Sequence, residues 1–246
     1  MRSGRLAIAA AAALVLSGCV STRQMRDVQF VPPQGNYRLL VMRPDVSVGS
    51  ITLGGLFEQR QDWTEQSRAN LIAALKAQQA GHGGDVRVLE TRSEAGANAE
   101  LVAELERLHQ AVGQSIILYK YQGPDLPTKR RGLDWTLGQE AVRFGRATGY
   151  DYALFLYAQD SFASTGRVAL QVLGFAGCFI GFCAPMSGGQ QIAYASLVDL
   201  RTGQVAWFNV LESQMGDIRK PEGAAQMVDR LLGRMRAGRD VRRVPR

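Results

Sequence analysis

Asp151-Tyr152-Ala153-Leu154-Phe155-Leu156-Tyr157-Ala158 is the stretch on which the fold turns. Its apolar character is nearly continuous. A strand with one wetted face alternates between apolar and polar residues, whereas a strand covered on both faces does not. The octet therefore predicts a central strand with helices above and below it. Downstream, Gln191–Leu200 and Gln204–Glu212 flank Arg201-Thr202-Gly203. Two β-prone runs around so short a break predict a hairpin, with Gly203 supplying the positive φ that the turn needs. Pro221 fits the first turn of a closing helix, whose inner stripe is Ala224, Met227, Val228, Leu231 and Leu232.

Upstream of the octet, Ala141, Val142, Phe144 and Ala147 form a helical stripe ending at Gly149, with Asp134-Trp135-Thr136 as its expected start. Before that, Leu101, Leu105, Leu108, Val112, Ile116 and Tyr119 recur every three or four residues. They predict one long helix from about Ala97, ended by Pro124 and Pro127, in preference to a strand at 116–121. Val86-Arg87-Val88-Leu89 reads as a strand. Asp62-Trp63-Thr64-Glu65 opens an earlier helix, with Asp62 as the expected cap and Glu65 reaching back to it, and Gly81-His82-Gly83-Gly84 closes that helix. Both helix starts read Asp-Trp-Thr, an echo that good capping chemistry explains without a duplication. Arg38–Met42 is a short buried strand stopped by Pro44, followed by an expected glycine-rich loop at Gly49, Gly54 and Gly55. The succession of elements predicts an α/β fold: a single domain over 37–238, a mixed β-sheet covered by helices, a β-hairpin near the C-terminal end and a final helix. Residues 239–246 form a basic tail, suited either to an anionic surface or to plain solvation.

One segment does not fit this scheme. Residues 168–186 carry no charge and contain Phe175, Phe179 and Phe182 at helical spacing, with Gly177 and Gly181 as a small-xxx-small pair. The run is at the short limit for crossing a membrane and is interrupted by glycine and Pro185. Three readings stay open for this insertion: internal core, membrane contact, or a docking surface for another subunit.

The N-terminus carries an address. Arg2 and Arg5 precede an apolar run from Leu6 to Leu16, and Ser17-Gly18 supplies small residues before Cys19. This combination resembles the lipobox of bacterial lipoproteins. It implies a lipoprotein signal peptide at 1–18, a diacylglycerol on the Cys19 thiol, and a mature chain beginning there. Residues 19–36, with Pro32-Pro33 and Gly35, then read as a lipidated flexible tether. Val20 stands where the enterobacterial sorting scheme would place Asp for inner-membrane retention, so the resemblance implies the periplasmic side of the outer membrane.

With Cys19 acylated, Cys178 and Cys183 are left as an even pair in an oxidising compartment. They are either a disulfide or two buried thiols. Two cysteines without a nearby histidine do not make a zinc site. The sequence calls for no metal and no cofactor. The net charge of +7 across 246 residues, 46% of them hydrophobic and 21% charged, describes an ordinary globular chain. Nucleic acid is a poor partner for an exported protein without an aromatic-basic motif.

Catalytic patterns are weak. His109 reads as a surface residue on a helix, and His82 lies in a glycine loop. Neither belongs to an HExxH motif, and no nucleophile elbow or phosphate-binding loop is present. Ser161 and Ser164, near Asp160 and beyond the central strand, could act with His82 as a hydrolase, but turn formation after a strand is the stronger account of them. Asp62 with Glu65, and Asp199 after its strand, have capping and turn roles.

The 151–158 strand and the hairpin Ala195-Ser196-Leu197-Val198-Asp199-Leu200-Arg201-Thr202-Gly203-Gln204-Val205, with Trp207, resemble uncharacterised proteobacterial lipoproteins. More distantly they resemble the curli-secretion (CsgG-like) group, which includes lipoproteins that activate penicillin-binding proteins. The resemblance implies a non-enzymatic envelope lipoprotein that binds or positions a protein complex, attached to the membrane through its N-terminal lipid and with a homo-oligomer possible. It transfers no catalytic residue. A periplasmic hydrolase on the same fold, or an oligomeric pore or secretion component using 168–186, are the alternatives.

Overall fold

A computed structural model describes residues 20–26, 37–79, 85–129, 132–169, 189–213, 216–233 and 235. In chain order the elements are β1 (Val20–Arg26), β2 (Arg38–Val41), β3 (Asp45–Ile51), β4 (Phe57–Gln59), α1 (Gln61–Gln79), β5 (Asp85–Val88), α2 (Ala99–Ile116), α3 (Gly138–Thr148), β6 (Tyr152–Ala163), β7 (Gln191–Asp199), β8 (Val205–Ser213) and α4 (Pro221–Leu232). They build one mixed sheet with helices on both faces.

β6 is the central strand, and at twelve residues it outruns the octet that predicted it. β7 pairs with it antiparallel along one edge. The other edge is shared: β2 runs parallel to Tyr152–Leu154 and β3 runs parallel to Tyr157–Ala163. The sheet continues through β8 to β1 on one side and through β2 to β5 on the other, with β4 outside β3.

Alternate residues of β6 feed two cores, as a strand covered on both faces requires. Leu154, Leu156 and Ala158 pack with Leu71 and Leu75 of α1 and with Met227, Val228 and Leu231 of α4. Ala153 and Phe155 pack with Val102, Leu105 and Ile116 of α2 and with Ala141 and Phe144 of α3. The whole predicted stripe of α4 is buried, and the Asn209 side chain ties that helix to β8 by donating to Leu231 O at 2.6 Å. The hairpin turn is as predicted, with Gly203 at φ 77°. The long helix also holds: α2 passes into a π-helical turn at Ile117–Gln122 in place of a strand.

Several expectations are corrected. The glycine-rich loop after Arg38–Met42 is a strand pair, β3 with β4, closed by a turn at 52–56. Thr64 of α1 holds it in place: its Oγ1 accepts from Val48 N at 3.1 Å and lies 3.2 Å from Val48 O. Gly49 stands where a Cβ would overlap the Glu58 carbonyl. Of the expected tether over 19–36, Val20–Arg26 is instead β1, which pairs antiparallel with β8 along its length. Asp62 lies inside α1 and faces Arg60 at 3.7 Å; it does not cap the helix. The start of α3 belongs to Thr136, not Asp134. The Thr136 hydroxyl accepts from Gly138 N at 2.9 Å and donates to Gly203 O at 2.8 Å, which fixes α3 to the hairpin.

Candidate functional site

The register of the sheet brings one end of the molecule into focus. Val48, Asp160, Gln191, Ser213 and Val20 form a single row across β3, β6, β7, β8 and β1. Beyond this row lie the tip of the β3–β4 hairpin, the end of β6 with the chain that leads into the apolar insertion, and the chain that returns from it to β7. β1 begins at this end, with Val20 in the row. Four strand spacings of about 4.8 Å put Val20 roughly 19 Å from Val48.

The two ends of the insertion are clamped together. Gln190 N donates to Ser161 Oγ at 2.9 Å, Ser161 Oγ donates to Gln190 O at 2.9 Å, and Ser161 N donates to Gln190 O at 3.1 Å. Gly189 lies so close that a Cβ there would overlap the Ser161 carbonyl. Asp160 is buried beside this clamp. Its Oδ2 accepts from Gln191 Nε2 at 3.1 Å and from Ile218 N at 3.3 Å. Burial pushes its carboxyl up to about 6, while those two bonds pull the other way. Phe162 packs edge-on against Trp63 of α1, and the Arg219 guanidinium lies over both rings while paired to Asp217. A cleft of about 140 Å³ between Asp160, Ser161, Gly189 and Gly216 leaves room for a few waters.

This geometry bears on the hydrolase alternative. Ser161 Oγ is occupied by the Gln190 backbone. Ser164 Oγ faces Arg167 N at 3.4 Å, at the start of a helical turn over 165–169. His82 lies outside the described residues. His109 is not a surface residue: it is buried on the inner face of α2, stacked on Phe155 at 4.6 Å, and burial lowers its imidazole to about 3. The structure does not bring His109 to either serine. Asp199 is a turn residue that accepts from Arg201 N at 2.9 Å. Cys19, Cys178, Cys183, the part of the insertion at 170–186 and the tail at 239–246 also lie outside the described residues.

Sequence reasoning missed the hairpin tip. Leu53, Leu56 and Phe57 are 54%, 71% and 37% exposed, and Val168 in the segment after β6 is 45% exposed. Among the described residues Leu118 is the remaining large hydrophobic with comparable exposure. Leu53 and Leu56 around Gly54-Gly55 were the available signal: apolar residues in a turn have no core to reach. A second concavity surrounds Arg43, between α1 and α2. Arg43 has no ion pair or hydrogen bond among the described residues, but four carboxylates, Asp45, Glu65, Glu90 and Glu106, offset most of the charge of the five cations lining the two clefts that meet there.

No protein-family model matches the chain, and no curated protein matches it. Solved structures are similar in outline. A PelC dodecamer from Paraburkholderia phytofirmans superposes with TM-score 0.35 at 11% identity, covering 87% of this chain and 97% of that one. The LpoB C-terminal domain from Salmonella enterica gives 0.25 at 16%, covering 72% and 82%. Lipoprotein GNA1162 from Neisseria meningitidis gives 0.28 at 12%, covering 81% and 97%. Such likenesses carry no argument about function, which rests on this chain's own residues.

Proposed function

We propose that this chain is a lipid-anchored envelope protein that faces the periplasm from the outer membrane and binds or positions an envelope protein complex. It works by contact and carries out no reaction. The observation that carries this reading is the adjacency of Cys19 to β1. A basic start, an apolar run and small residues before Cys19 supply the acylation signal. Val20 is already paired with Ser213. An acyl group on Cys19 would therefore sit one peptide unit, about 3.8 Å between Cα atoms, before a residue paired in the sheet. An anchor set directly on a rigid sheet fixes the orientation of everything the domain presents. The polar side chains that might have done chemistry at this end, Asp160 and Ser161, are taken up in holding the strands together.

Labelling with an alkyne analogue of palmitate in a bacterial host tests the anchor, using the full chain and its Cys19→Ala variant. The full chain takes the label and fractionates with the outer membrane; the variant takes none. An unlabelled full chain would overturn the reading. The contact role is tested by replacing residues 1–19 with a cleavable signal that adds no lipid. The freed domain folds but loses its cellular effect, and full activity of the freed domain would count against the proposal.

A further inference from the structure

We infer that the tip of the β3–β4 hairpin is a second membrane contact, in which Leu53, Leu56 and Phe57 enter the lipid surface beside the acylated Cys19. The inference rests on the anchoring reading above and extends it from a tether to a seated domain. Its first support is exposure. Leu56 is 71%, Leu53 54% and Phe57 37% exposed at the end of a two-stranded projection. A contiguous apolar surface of this kind is uncommon on a protein that stays in water.

The second support is construction. The tip is built to hold its shape while exposed. Gly55 N donates to Thr52 O at 3.0 Å, Thr52 N to Leu56 O at 2.8 Å, and Leu56 N to Thr52 Oγ1 at 3.1 Å. Gly55 supplies the positive φ of the turn, at 85°. The following segment braces it, with Ser164 N donating to Ile51 O at 3.0 Å and Arg167 Nη1 to Thr52 O at 3.4 Å. These bonds at Thr52, Gly55 and Leu56 hold the turn in one shape while its side chains stay exposed. The Leu and Phe side chains are left as the part that meets the surroundings.

The third support is position, and it selects lipid as the occupant. Ile51 pairs with Ala163 at the end of β6, beyond the Val48–Asp160–Gln191–Ser213–Val20 row and at the end of the sheet where β1 begins. Any bilayer that holds an acyl chain on Cys19 lies at this end of the sheet. The tip stands about five residues beyond the row, about 17 Å at strand rise, and the row is about 19 Å wide. A tilt of the sheet of roughly 40° brings the tip level with the start of β1.

The test uses the chain beginning at residue 19 with Cys19→Ser. Every described element follows residue 19, and without the acyl group vesicle binding reports the tip and not the anchor. Flotation with vesicles of phosphatidylethanolamine and phosphatidylglycerol compares this chain with its Leu56→Asp/Phe57→Asp and Leu118→Asp derivatives. The parent binds. The tip double variant binds at least about tenfold more weakly, since two large apolar side chains no longer leave water. Leu118→Asp, equally exposed but elsewhere, binds as the parent does. Near-ultraviolet circular dichroism matching the parent confirms that each fold is intact. Equal binding by the tip variant would overturn the inference, as would a parent that ignores vesicles. A tip variant that changes oligomeric state with vesicle binding unaltered would assign the patch to a second copy and equally overturn it. Failure of palmitate labelling would leave these binding results as they are, so the two readings fail separately.

Discussion

Asp160 and His109 are buried groups whose charged forms the fold disfavours, with opposite consequences for pH. Asp160 titrates at about 6 in the folded chain against 3.8 for a free carboxyl. The folded state thus keeps a proton that the unfolded state has already lost. The stability Asp160 contributes is full below about pH 4 and is lost as pH rises through 6, an effect on the order of 3 kcal/mol. His109 is the reverse. Its imidazole falls from 6.5 to about 3, so the unfolded chain binds the proton first and stability is lost as pH drops below 6.5. Between pH 4 and 6 the two slopes oppose each other, and single variants separate them. Asp160→Asn should gain on the parent in urea midpoint as pH is raised from 4 to 7. His109→Leu should lose the parent's decline on acidification. Parallel profiles for parent and variant would show that the residue concerned does not titrate in this way.

At the scale of elements, the contact between α2 and β7 depends on an absent side chain. A Cβ at Gly113 would overlap the Tyr194 ring. That ring cannot retreat, because it is stacked on Tyr157 and Phe208 and lies against His109. Gly113→Ala gains about 1 kcal/mol in helix propensity but forces overpacking that typically costs about 1–3 kcal/mol. We expect a net loss in urea midpoint, reversed in part when Tyr194→Leu is added, with a favourable coupling in the double-mutant cycle. The sequence pattern showed only that glycine weakens a helix. Close approach is a property of the partner element. The same limit explains the other misses. β6, the β7–β8 hairpin and α4 were legible because their signals lie within one segment. β3 hid behind Gly49, whose reason is the Glu58 carbonyl across the hairpin, and β1 hid because seven largely polar residues become a strand only when β8 supplies the edge. His109 sits four residues after the buried Leu105, on the apolar stripe of α2. Its spacing carried the information that its polarity obscured. Asp160 and Gln191 were visible as strand ends, but their alignment into one row was not, because register is set by pairing between distant segments.

For the whole molecule, the question is whether anchor and tip act together. On the proposed reading, an acyl anchor just before β1 and an apolar tip about 25 Å from Val20 would be two attachments on one rigid body. The second then benefits from the first through effective concentration. Inserting about sixteen Gly/Ser residues between Cys19 and Val20 adds a random coil spanning some 20–24 Å, comparable to the width of the row. The acylated insertion variant should stay in the membrane fraction, because its lipid is unchanged. Its hairpin should become more accessible. Arg60 and Arg167 flank the tip, and limited trypsin digestion of vesicle-bound protein should cleave after them faster in the insertion variant than in the parent. The Leu56→Asp/Phe57→Asp variant, acylated and without the insertion, should match that faster rate, because it loses the tip contact by the other route. Equal cleavage in all three proteins would mean that the close join between Cys19 and the sheet does not orient the domain. The anchor would then be a tether of ordinary slack despite the strand that follows it.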